Sequence, residues 1–370
     1  MTVEQKAAQL LVAGIEGTEP GEDAVQAVQG YQVGGVILFG RNVESAEQLA
    51  ALTNGLKELN GDYTPLFLCV DQEGGRVDRM PPEVSRTPSA WRVGQAMARG
   101  TAGAEYGVLL AEECAAFGFN MDFAPSLDIW SNPDNTVIGD RAFGGDWEWV
   151  TDFGFRAVEA MAERGDVIPV VKHFPGHGDT AVDSHTALPV VDKTLEDLWQ
   201  SELVPFDMVL SGQFWGEPVM EPAPAVMVAH ILLSQIDPDN PASLSPEVVT
   251  GLLREEMGYE GVVCTDDLTM GAISNTYGMG EAAVLAVEAG CDLLLVCHSA
   301  DNLAAAHAAL VDAVDSGRIS MERLDESVYR VLSLKAVYGL SNAPVEAPDI
   351  KALNDRIAAL ERSIEADTSQ

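Results

Sequence analysis

The segment at residues 172–180 holds a dense set of side chains that could do chemistry. Its sequence is KHFPGHGDT and DSH follows at 183–185, so that three of the chain's six histidines fall close together. The apolar run 167–171 before it is typical of a buried strand, and its own glycines and proline indicate a loop. Parallel α/β proteins build active sites where strands end in such loops. The segment therefore predicts a site for binding and proton transfer.

Short apolar runs alternate along the chain with stretches of helical periodicity. The predicted strands are residues 10–15, 35–39, 66–70, 119–124, 167–171, 225–229, 261–265 and 292–297. The predicted helices include residues 45–59, 101–117, 146–165, 246–258 and 280–290. The first helix opens with a capping box formed by Ser45 and Gln48. Alternation of this kind predicts a parallel sheet.

The number of strands indicates an α/β fold built as a single (β/α)8 barrel of the TIM type. We expect this barrel to be a catalytic domain over residues 1–340, with residues 341–370 as a C-terminal extension that forms one helix at 348–365. An open, doubly wound sheet is the alternative. Neither a G-x-G-x-x-G turn nor a Walker-type loop is present to support that alternative. Residues 211–224 are predicted to form a loop rich in Gly, Pro and aromatic residues.

The charge balance excludes several classes of partner. The chain has 58 acidic and 21 basic residues, which gives a net charge of −37. Nucleic acids and anionic membrane surfaces would be repelled by such a protein. In dilute buffer the charges would also repel one another, whereas about 1 M salt would screen them. We therefore expect a protein of a salt-filled cytoplasm, with an ordinary acidic protein as the alternative.

The cysteines and the N-terminus bear on the compartment. The five cysteines form no C-x-x-C pair and lie mostly in apolar runs, which favours free core thiols in a reducing compartment. The N-terminus has no basic region followed by an apolar core, so we expect no signal peptide. No apolar run approaches the length of about 20 residues that a membrane span requires. These features predict a cytoplasmic protein.

Polar side chains follow almost every predicted strand, and they should converge at one end of a barrel, where catalysis takes place in this fold. Along the chain they are Asp71, Arg79, Asp128, Arg141, Lys172, His173, His230, Asp266, Asp267 and His298.

Two chemistries fit such a set of residues. Metal-assisted hydrolysis would use ligands from the histidine segment, namely His173, His177, Asp179 and His185, but their spacing matches no common zinc pattern. Glycoside hydrolysis needs a carboxylate nucleophile and a separate proton donor. A histidine such as His185 can donate a proton near neutral pH, and Asp183 could orient it.

At this point the chain resembles glycoside hydrolase family 3, and within it the single-barrel β-N-acetylglucosaminidases of bacterial cell-wall recycling. The motifs that carry the resemblance are DQEGGRV at 71–77, KHFPGHGDT at 172–180, DSH at 183–185 and TDDL at 265–268, with GGVILF at 34–39 and MVAH at 227–230. They occur in the family's order between about residues 2 and 340.

The resemblance implies a role for individual residues. Asp266 would be the nucleophile, and His185, paired with Asp183, would be the general acid/base. The residues implied to bind the N-acetylglucosamine (GlcNAc) ring are Asp71, Arg79, Arg141, Lys172 and His173. No cofactor and no metal is implied. The family's glucosidases usually take their acid/base from a second domain, which we do not expect here, and the histidine segment would supply it instead.

Several residues have simpler explanations. We expect His177 to stabilise its loop by hydrogen bonding, Asp128 to be structural and His298 to be a core residue. Glu73 is expected to pair with an arginine. Asp267 is the rival of Asp266 and the natural residue to orient it. Two departures from the family stand out: the 211–224 loop is long and could alter the leaving-group side, and the acidic composition is unusual.

The resulting hypothesis is a retaining β-N-acetylhexosaminidase that removes terminal β-linked GlcNAc from muropeptide or chitooligosaccharide fragments. A phosphorylase of the same family remains open, because a histidine repels phosphate less than a glutamate would. A β-glucosidase-like glycosidase and a non-catalytic amino-sugar binding protein also remain open.

Overall fold

Eight parallel strands close into a barrel, in the order in which they occur along the chain. The structure is a computed structural model that describes residues 1–96, 99–180, 184 and 187–368. The barrel strands are β1 (Leu11–Gly14), β2 (Gly35–Ile37), β3 (Phe67–Val70), β4 (Met121–Asp122), β5 (Ile168–Phe174), β6 (Ala225–Val228), β7 (Val262–Asp267) and β8 (Leu293–Val296). Strand β8 pairs with β1 through Leu294 and Leu11, which completes the barrel. The predicted (β/α)8 fold is therefore confirmed.

Strands β4 and β5 differ most from their predicted bounds. Strand β4 has only two residues in regular pairing, and the side chain of the preceding residue, Asn120, adds hydrogen bonds to β3 and the residue before it. Its Oδ1 accepts from Leu68 N at 2.8 Å and its Nδ2 donates to Leu66 O at 3.0 Å. Strand β5 instead runs three residues further than predicted and includes the start of the histidine segment.

Alternation along the strands separates two apolar cores. The residues that face the barrel interior include Val12, Ile37, Phe67, Cys69, Met121, Ile168, Val170, Met227, Val262, Cys264, Leu293 and Leu295. The residues between them face outward into a larger core shared with the helices. The side chains of a strand alternate with a period of two. The residue two positions after the last interior residue of a strand should therefore project from the same face, at the strand's carboxyl end.

Helices surround the barrel. They are α1 (Val3–Gln9), α2 (Glu22–Val25), α3 (Ala46–Asn60), α4 (Ala90–Val93), α5 (Arg99–Ala116), α6 (Trp147–Arg164), α7 (Leu195–Trp199), α8 (Leu203–Ser211), α9 (Gly271–Ser274), α10 (Met279–Ala289), α11 (Ala300–Asp315), α12 (Met321–Val337) and α13 (Ile350–Thr368). Shorter 3₁₀ turns span Gly40–Asn42, Gly139–Arg141 and Ala242–Leu244. The predicted helix at 246–258 forms a π-helix over Glu247–Glu256, and a second π-helix covers Gln26–Tyr31.

The predicted capping box of α3 forms only in part. The Ser45 side chain accepts from Gln48 N, as expected. The Gln48 side chain, however, accepts from Glu44 N at 2.8 Å, one residue earlier than a capping box requires.

The segment at 211–224, predicted as a loop, contains a β-hairpin. Its strands, Gln213–Phe214 and Glu217–Pro218, pair antiparallel. The segment connects α8 to the amino end of β6, and its aromatic rings pack on α6, where Trp215 lies 5.8 Å from Trp147. None of residues 211–224, all of which the structure describes, lines the pocket at the carboxyl ends of the strands. The effect that this segment could have on the leaving-group side stays a prediction.

The C-terminal extension ends in the predicted helix. Four apolar residues of α13, Leu353, Ile357, Leu360 and Ile364, are buried in the core that the barrel helices share. Their spacing of three and four residues places them on one face of the helix. Within the described part of the chain, no helix is both long and apolar enough to cross a membrane. The boundary at residue 340 stays a proposal.

Candidate active site

A polar pocket lies at the carboxyl ends of the barrel strands. Its polar lining residues are Asp71, Glu73, Arg79, Arg141, Lys172, His173, His177, Ser184, Asp266, Asp267 and His298. Six residues that the family resemblance selects thus lie around one cavity, although they come from four separate parts of the sequence. They are Asp71, Arg79, Arg141, Lys172, His173 and Asp266. Asp183 and His185 fall outside the described residues.

Strand alternation explains three of these placements. Cys69, Val170 and Cys264 face the barrel interior. Asp71, Lys172 and Asp266 follow them by two residues and so project from the same face, at the end where the interior opens into the pocket. His173 lines the pocket beside Lys172, next to a register shift of β5 between Val171 and Phe174. Such irregularities redirect side chains near active sites.

Lys172 is a buried cation held between two carboxylates. Its Nζ donates to Asp71 Oδ1 at 2.7 Å and lies 2.6 Å from Glu73 Oε1. Burial alone would lower the pKa of Lys172, but the charges of Asp71 and Glu73 outweigh it and raise the pKa. Lys172 therefore remains an ammonium ion at neutral pH and aligns Asp71 at the pocket wall.

Arg141 completes a charge network with Glu73, as predicted for that glutamate. The guanidinium donates from Nε to Oε2 and from Nη2 to Oε1, both at 2.8 Å. Burial would raise the pKa of Glu73, but Arg141 and Lys172 hold it well below its usual range. A bidentate pair of this kind fixes the plane of the guanidinium. Because Arg141 ends a 3₁₀ turn far from β3 in sequence, only the folded chain creates this pair.

His173 is locked in one tautomer. Its Nε2 lies 3.2 Å from Arg141 Nη2, which can only donate, so Nε2 must be the acceptor. Its Nδ1 lies 2.5 Å from Asp128 Oδ2 and therefore carries the proton. Burial would raise the pKa of Asp128, but His173 holds it well below its usual range. Asp128 is thus a buried orienting residue, in agreement with the expected structural role.

Asp266 and Asp267 have different surroundings. Asp266 Oδ1 accepts from Asp267 N at 2.8 Å, and no described residue donates to its second oxygen. Asp267 uses both oxygens: Oδ1 accepts from Thr269 N and Cys297 N, and Oδ2 from the Thr269 hydroxyl. Asp267 is therefore committed to holding its loop, whereas the second oxygen of Asp266 has no hydrogen-bond donor among the described residues.

Asp266 is also kept ionised. Its burial would raise the pKa, but His230, His173 and the Asp267 N–H together lower it. His230 donates from Nε2 to Asp267 O at 3.0 Å, and its Nδ1 accepts from the Ser243 hydroxyl at 2.7 Å. An ionised carboxylate with an unengaged oxygen is the form that a nucleophile requires.

Arg79 lines the pocket from a loop that hydrogen bonds connect to the buried Glu113. Arg79 N donates to Gln72 Oε1 at 2.8 Å, and Gln72 Nε2 donates to Glu113 Oε2 at 2.8 Å. Glu113 also accepts from the Thr87 hydroxyl, and its burial raises its pKa to about 8. Arg79 Nε is buried without a hydrogen-bond partner among the described residues. This unsatisfied donor fits a residue whose partner is a ligand.

Two histidines at the pocket, His177 and His298, differ in how well they fit the simple roles expected of them. His177 bonds within its own loop and to Ser184, as expected of a loop-stabilising residue. His298 is not a core residue, because its side chain is 55% exposed and lines the pocket. It stacks on Phe39 with ring centroids 5.9 Å apart. His298 follows the inward-facing Cys297 by one residue, beyond the end of β8, where strand alternation no longer predicts burial.

Three of the four proposed metal ligands have protein partners, and the fourth, His185, lies outside the described residues. Both ring nitrogens of His173 and of His177 are engaged, and Asp179 pairs with Lys193 at 3.0 Å. In the part of the chain that the structure describes, no group of three or more His, Cys, Asp or Glu side chains could hold a metal ion.

The pocket as a whole combines a free carboxylate with fixed cations and hydrogen-bonding groups at the open end of a (β/α)8 barrel. Such an arrangement suits a polyhydroxylated substrate and nucleophilic attack by a carboxylate, which is the equipment of a retaining glycosidase.

Comparison with known proteins identifies the family. The N-terminal domain of glycosyl hydrolase family 3 matches residues 2–334. The chain therefore belongs to glycosyl hydrolase family 3 and is a glycoside hydrolase.

Individual relatives share much of the chain. Beta-hexosaminidase A of Pseudoalteromonas piscicida is 34% identical over 86% of this chain, which spans 56% of that protein. The beta-hexosaminidase of Alkalilimnicola ehrlichii is 38% identical over 78% of this chain and 80% of its own length. A family 3 β-N-acetylglucosaminidase from Paenibacillus sp. superimposes with a TM-score of 0.89 and 41% identity, over 98% of this chain and 69% of the other.

Proposed function

We propose that the chain is a retaining β-N-acetylhexosaminidase that releases terminal β-linked GlcNAc. The observation that carries this proposal is the ionised carboxylate of Asp266, one oxygen of which has no donor among the residues that the structure describes, in a pocket lined by fixed polar groups. The names of the relatives, β-hexosaminidases and β-N-acetylglucosaminidases, support the choice of sugar.

In the proposed mechanism Asp266 attacks the anomeric carbon while His185 protonates the leaving oxygen. This step gives a covalent glycosyl-enzyme, and His185 then deprotonates the water that releases the sugar. Asp183 would orient His185, as a triad aspartate orients its histidine. Asp71, Arg79, Arg141, Lys172 and His173 would bind the hydroxyl and acetamido groups of the ring.

Trapping the intermediate tests the nucleophile. A slow fluorinated GlcNAc substrate should leave its label on Asp266, as found by peptide mapping. Asp266→Asn should lower kcat by ~10⁴-fold or more, since the covalent route is lost. A label on Asp267, or inversion at the anomeric carbon seen by proton NMR, would contradict the proposal.

Turnover of a nitrophenyl GlcNAc glycoside with and without phosphate tests the reaction class. We expect GlcNAc as the product in both cases, at equal rates. Formation of GlcNAc 1-phosphate would identify a phosphorylase instead, and binding without turnover would identify an amino-sugar binding protein.

The cellular setting is part of the proposal. We propose a cytoplasmic enzyme of peptidoglycan recycling that acts on muropeptide or chitooligosaccharide fragments in a salt-rich cell. Five free cysteines, all buried, support a reducing compartment. The net charge of −37 supports high salt. A purified muropeptide fragment and a chitooligosaccharide of the same length, compared by kcat/KM, would distinguish the two substrate classes.

A further inference from the structure

The loop that follows β5 is held firmly up to Thr180. His177 N donates to Asp128 Oδ1 at 2.7 Å, and Asn135 Nδ2 donates to His177 O at 2.8 Å. A Cβ at the next residue, Gly178, would lie 1.8 Å from Ile129 O, so only glycine allows this close approach. The backbone of His177 is thereby attached on both sides to the loop after β4.

This rigid support carries a buried imidazole with two hydroxyl partners. His177 is 2% exposed, its Nδ1 lies 2.8 Å from Thr180 Oγ1, and its Nε2 lies 3.1 Å from Ser184 Oγ. Burial and the neighbouring His173 lower the pKa of His177 to about 4, so the ring is neutral. A neutral imidazole has one donor and one acceptor nitrogen.

Thr180 connects the His177 ring to its own loop. The Thr180 hydroxyl oxygen accepts from Asn135 Nδ2 at 3.2 Å. The shorter of its two contacts is to His177 Nδ1 at 2.8 Å, against 3.0 Å to His177 O. In either neutral tautomer a hydrogen bond joins His177 Nε2 to Ser184 Oγ.

Ser184 is also attached to the loop that follows the proposed nucleophile. Its carbonyl oxygen accepts from Ala272 N, at the start of α9, at 3.0 Å. The side chain of Ser184 thus bonds to the rigid β5 loop and its backbone to the β7 loop. In the sequence Ser184 lies between Asp183 and His185.

We infer that His177 is a positioning residue that holds Ser184 at the pocket, and that this bond serves the proton transfer proposed for His185, the next residue in the sequence. This role rests on the proposed function, because it requires His185 to be the proton donor. His177, which is expected from the sequence only to stabilise its loop, would then contribute to catalysis through Ser184.

The expected size follows from the geometry. A neutral hydrogen bond contributes ~1 kcal/mol, or about fivefold in rate, and a displaced catalytic group loses up to ~10²-fold. We expect Ser184→Ala to lower kcat/KM about 10-fold for GlcNAc glycosides with poor, alkyl leaving groups. For a dinitrophenyl leaving group, which needs no proton, the loss should stay below about threefold. kcat/KM reports the glycosylation step only, so the base role of His185 does not enter.

Two matched variants isolate the hydroxyl. Ser184→Thr keeps an Oγ and should restore most of the activity toward alkyl glycosides. Ser131→Ala removes a hydroxyl from the loop after β4, where Ser131 donates to Asp179 Oδ1 at 3.2 Å. The loss of activity in this variant should not depend on the leaving group. In a His177→Phe background, Ser184→Ala should have no further effect, since the bond is already absent.

Three results would overturn the inference. The first is an equal loss of kcat/KM in Ser184→Ala for both leaving groups, and the second is full additivity of the effects of Ser184→Ala and His177→Phe. The third is a parallel weakening of inhibition by GlcNAc in Ser184→Ala, which would mean that the hydroxyl binds the sugar. His185→Ala is measured alongside. If it lacks leaving-group dependence, the acid assignment itself fails; if it has that dependence while Ser184→Ala behaves like Ser131→Ala, only the positioning role fails.

Discussion

Two buried lysines at opposite ends of the barrel are held in different charge states. Lys172, at the carboxyl end, lies between the carboxylates of Asp71 and Glu73. Lys335, on α12 at the amino end, donates to Gln9 Oε1 at 3.0 Å and to Gly34 O at 2.8 Å. Its Nζ also lies 4.7 Å from the centre of the Phe67 ring. Both side chains are almost entirely shielded from water.

The comparison shows that partners, rather than burial, decide the charge. Burial would lower the pKa of either lysine; the two carboxylates raise that of Lys172, whereas the neutral partners of Lys335 let it fall to about 7. Two buried glutamates repeat the contrast, since the pKa of Glu73 is held down by Arg141 and Lys172 while that of Glu113 is raised to about 8. In each of these two pairs, the residue that keeps its charge is the one that lines the pocket.

The largest expected effect comes from removing the charge at the pocket end. Lys172→Met would leave Asp71 and Glu73 partly uncompensated, and breaking a buried pair in this way costs ~3–5 kcal/mol. We expect the free energy of unfolding in urea to fall by about that amount and GlcNAc glycoside hydrolysis to be lost. Lys335→Met, the same substitution at the other end, is the control. Equal losses in the two variants would break the comparison.

Glu113→Gln should change how stability depends on pH. Because the folded pKa of Glu113, about 8, lies above its unfolded value of about 4.5, the folded state holds the extra proton between them. The contribution of Glu113 to the free energy of unfolding is therefore fully present below pH 4.5. It falls by up to ~1.4 kcal/mol per pH unit as the pH rises toward 8. The wild type should lose stability relative to Glu113→Gln as pH rises through that window. Parallel unfolding curves at pH 5, 7 and 9 would contradict this expectation.

Lys335→Met should reveal a dependence of stability on pH that is opposite to that of Glu113. Its effect on the free energy of unfolding should be smaller near neutral pH. Between the folded pKa of about 7 and the ordinary value of 10.5, the unfolded chain binds more protons, so this group adds stability as pH rises. We expect the variant to lose ~1–2 kcal/mol at pH 7, for two hydrogen bonds, and to fall further behind the wild type up to pH 10. A difference that stays constant from pH 7 to pH 10 would show that Lys335 is charged in the folded protein.

Salt should have little effect on the contrast between the buried lysines at the two ends of the barrel, Lys172 and Lys335. The melting temperature of the wild type should rise between low salt and about 1 M KCl, because exposed acidic groups are screened. The Lys172→Met deficit should change by less than ~1 kcal/mol over that range, since buried pairs are screened little. A deficit that disappears in KCl would place Lys172 in contact with solvent, and an unchanged wild-type melting temperature would argue against adaptation to salt.

The strands are well predicted from the sequence because each is a short apolar run followed by polar residues. The same alternation that buries Cys69 and Cys264 also predicts that Asp71 and Asp266 share one end of the barrel. The core position expected for His298 is wrong because this residue lies just past a strand, where alternation stops. The hairpin at 213–218 escapes prediction because its strands are two residues long and its turn carries Trp215 at a positive φ of 52°, where Asn or Gly is usual.

The sequence by itself determined the barrel, its polar end and the family, since periodicity and motif order are local properties of the chain. Tertiary structure decided which groups meet and in what charge state. Glu73 reaches Arg141, and Asp128 fixes the proton of His173, through contacts between different loops. It also decided that both oxygens of Asp267 accept hydrogen bonds from nearby loop residues, whereas one oxygen of Asp266 has no donor in the described part of the chain. Such choices depend on distances between residues far apart in the chain, which neither composition nor spacing contains.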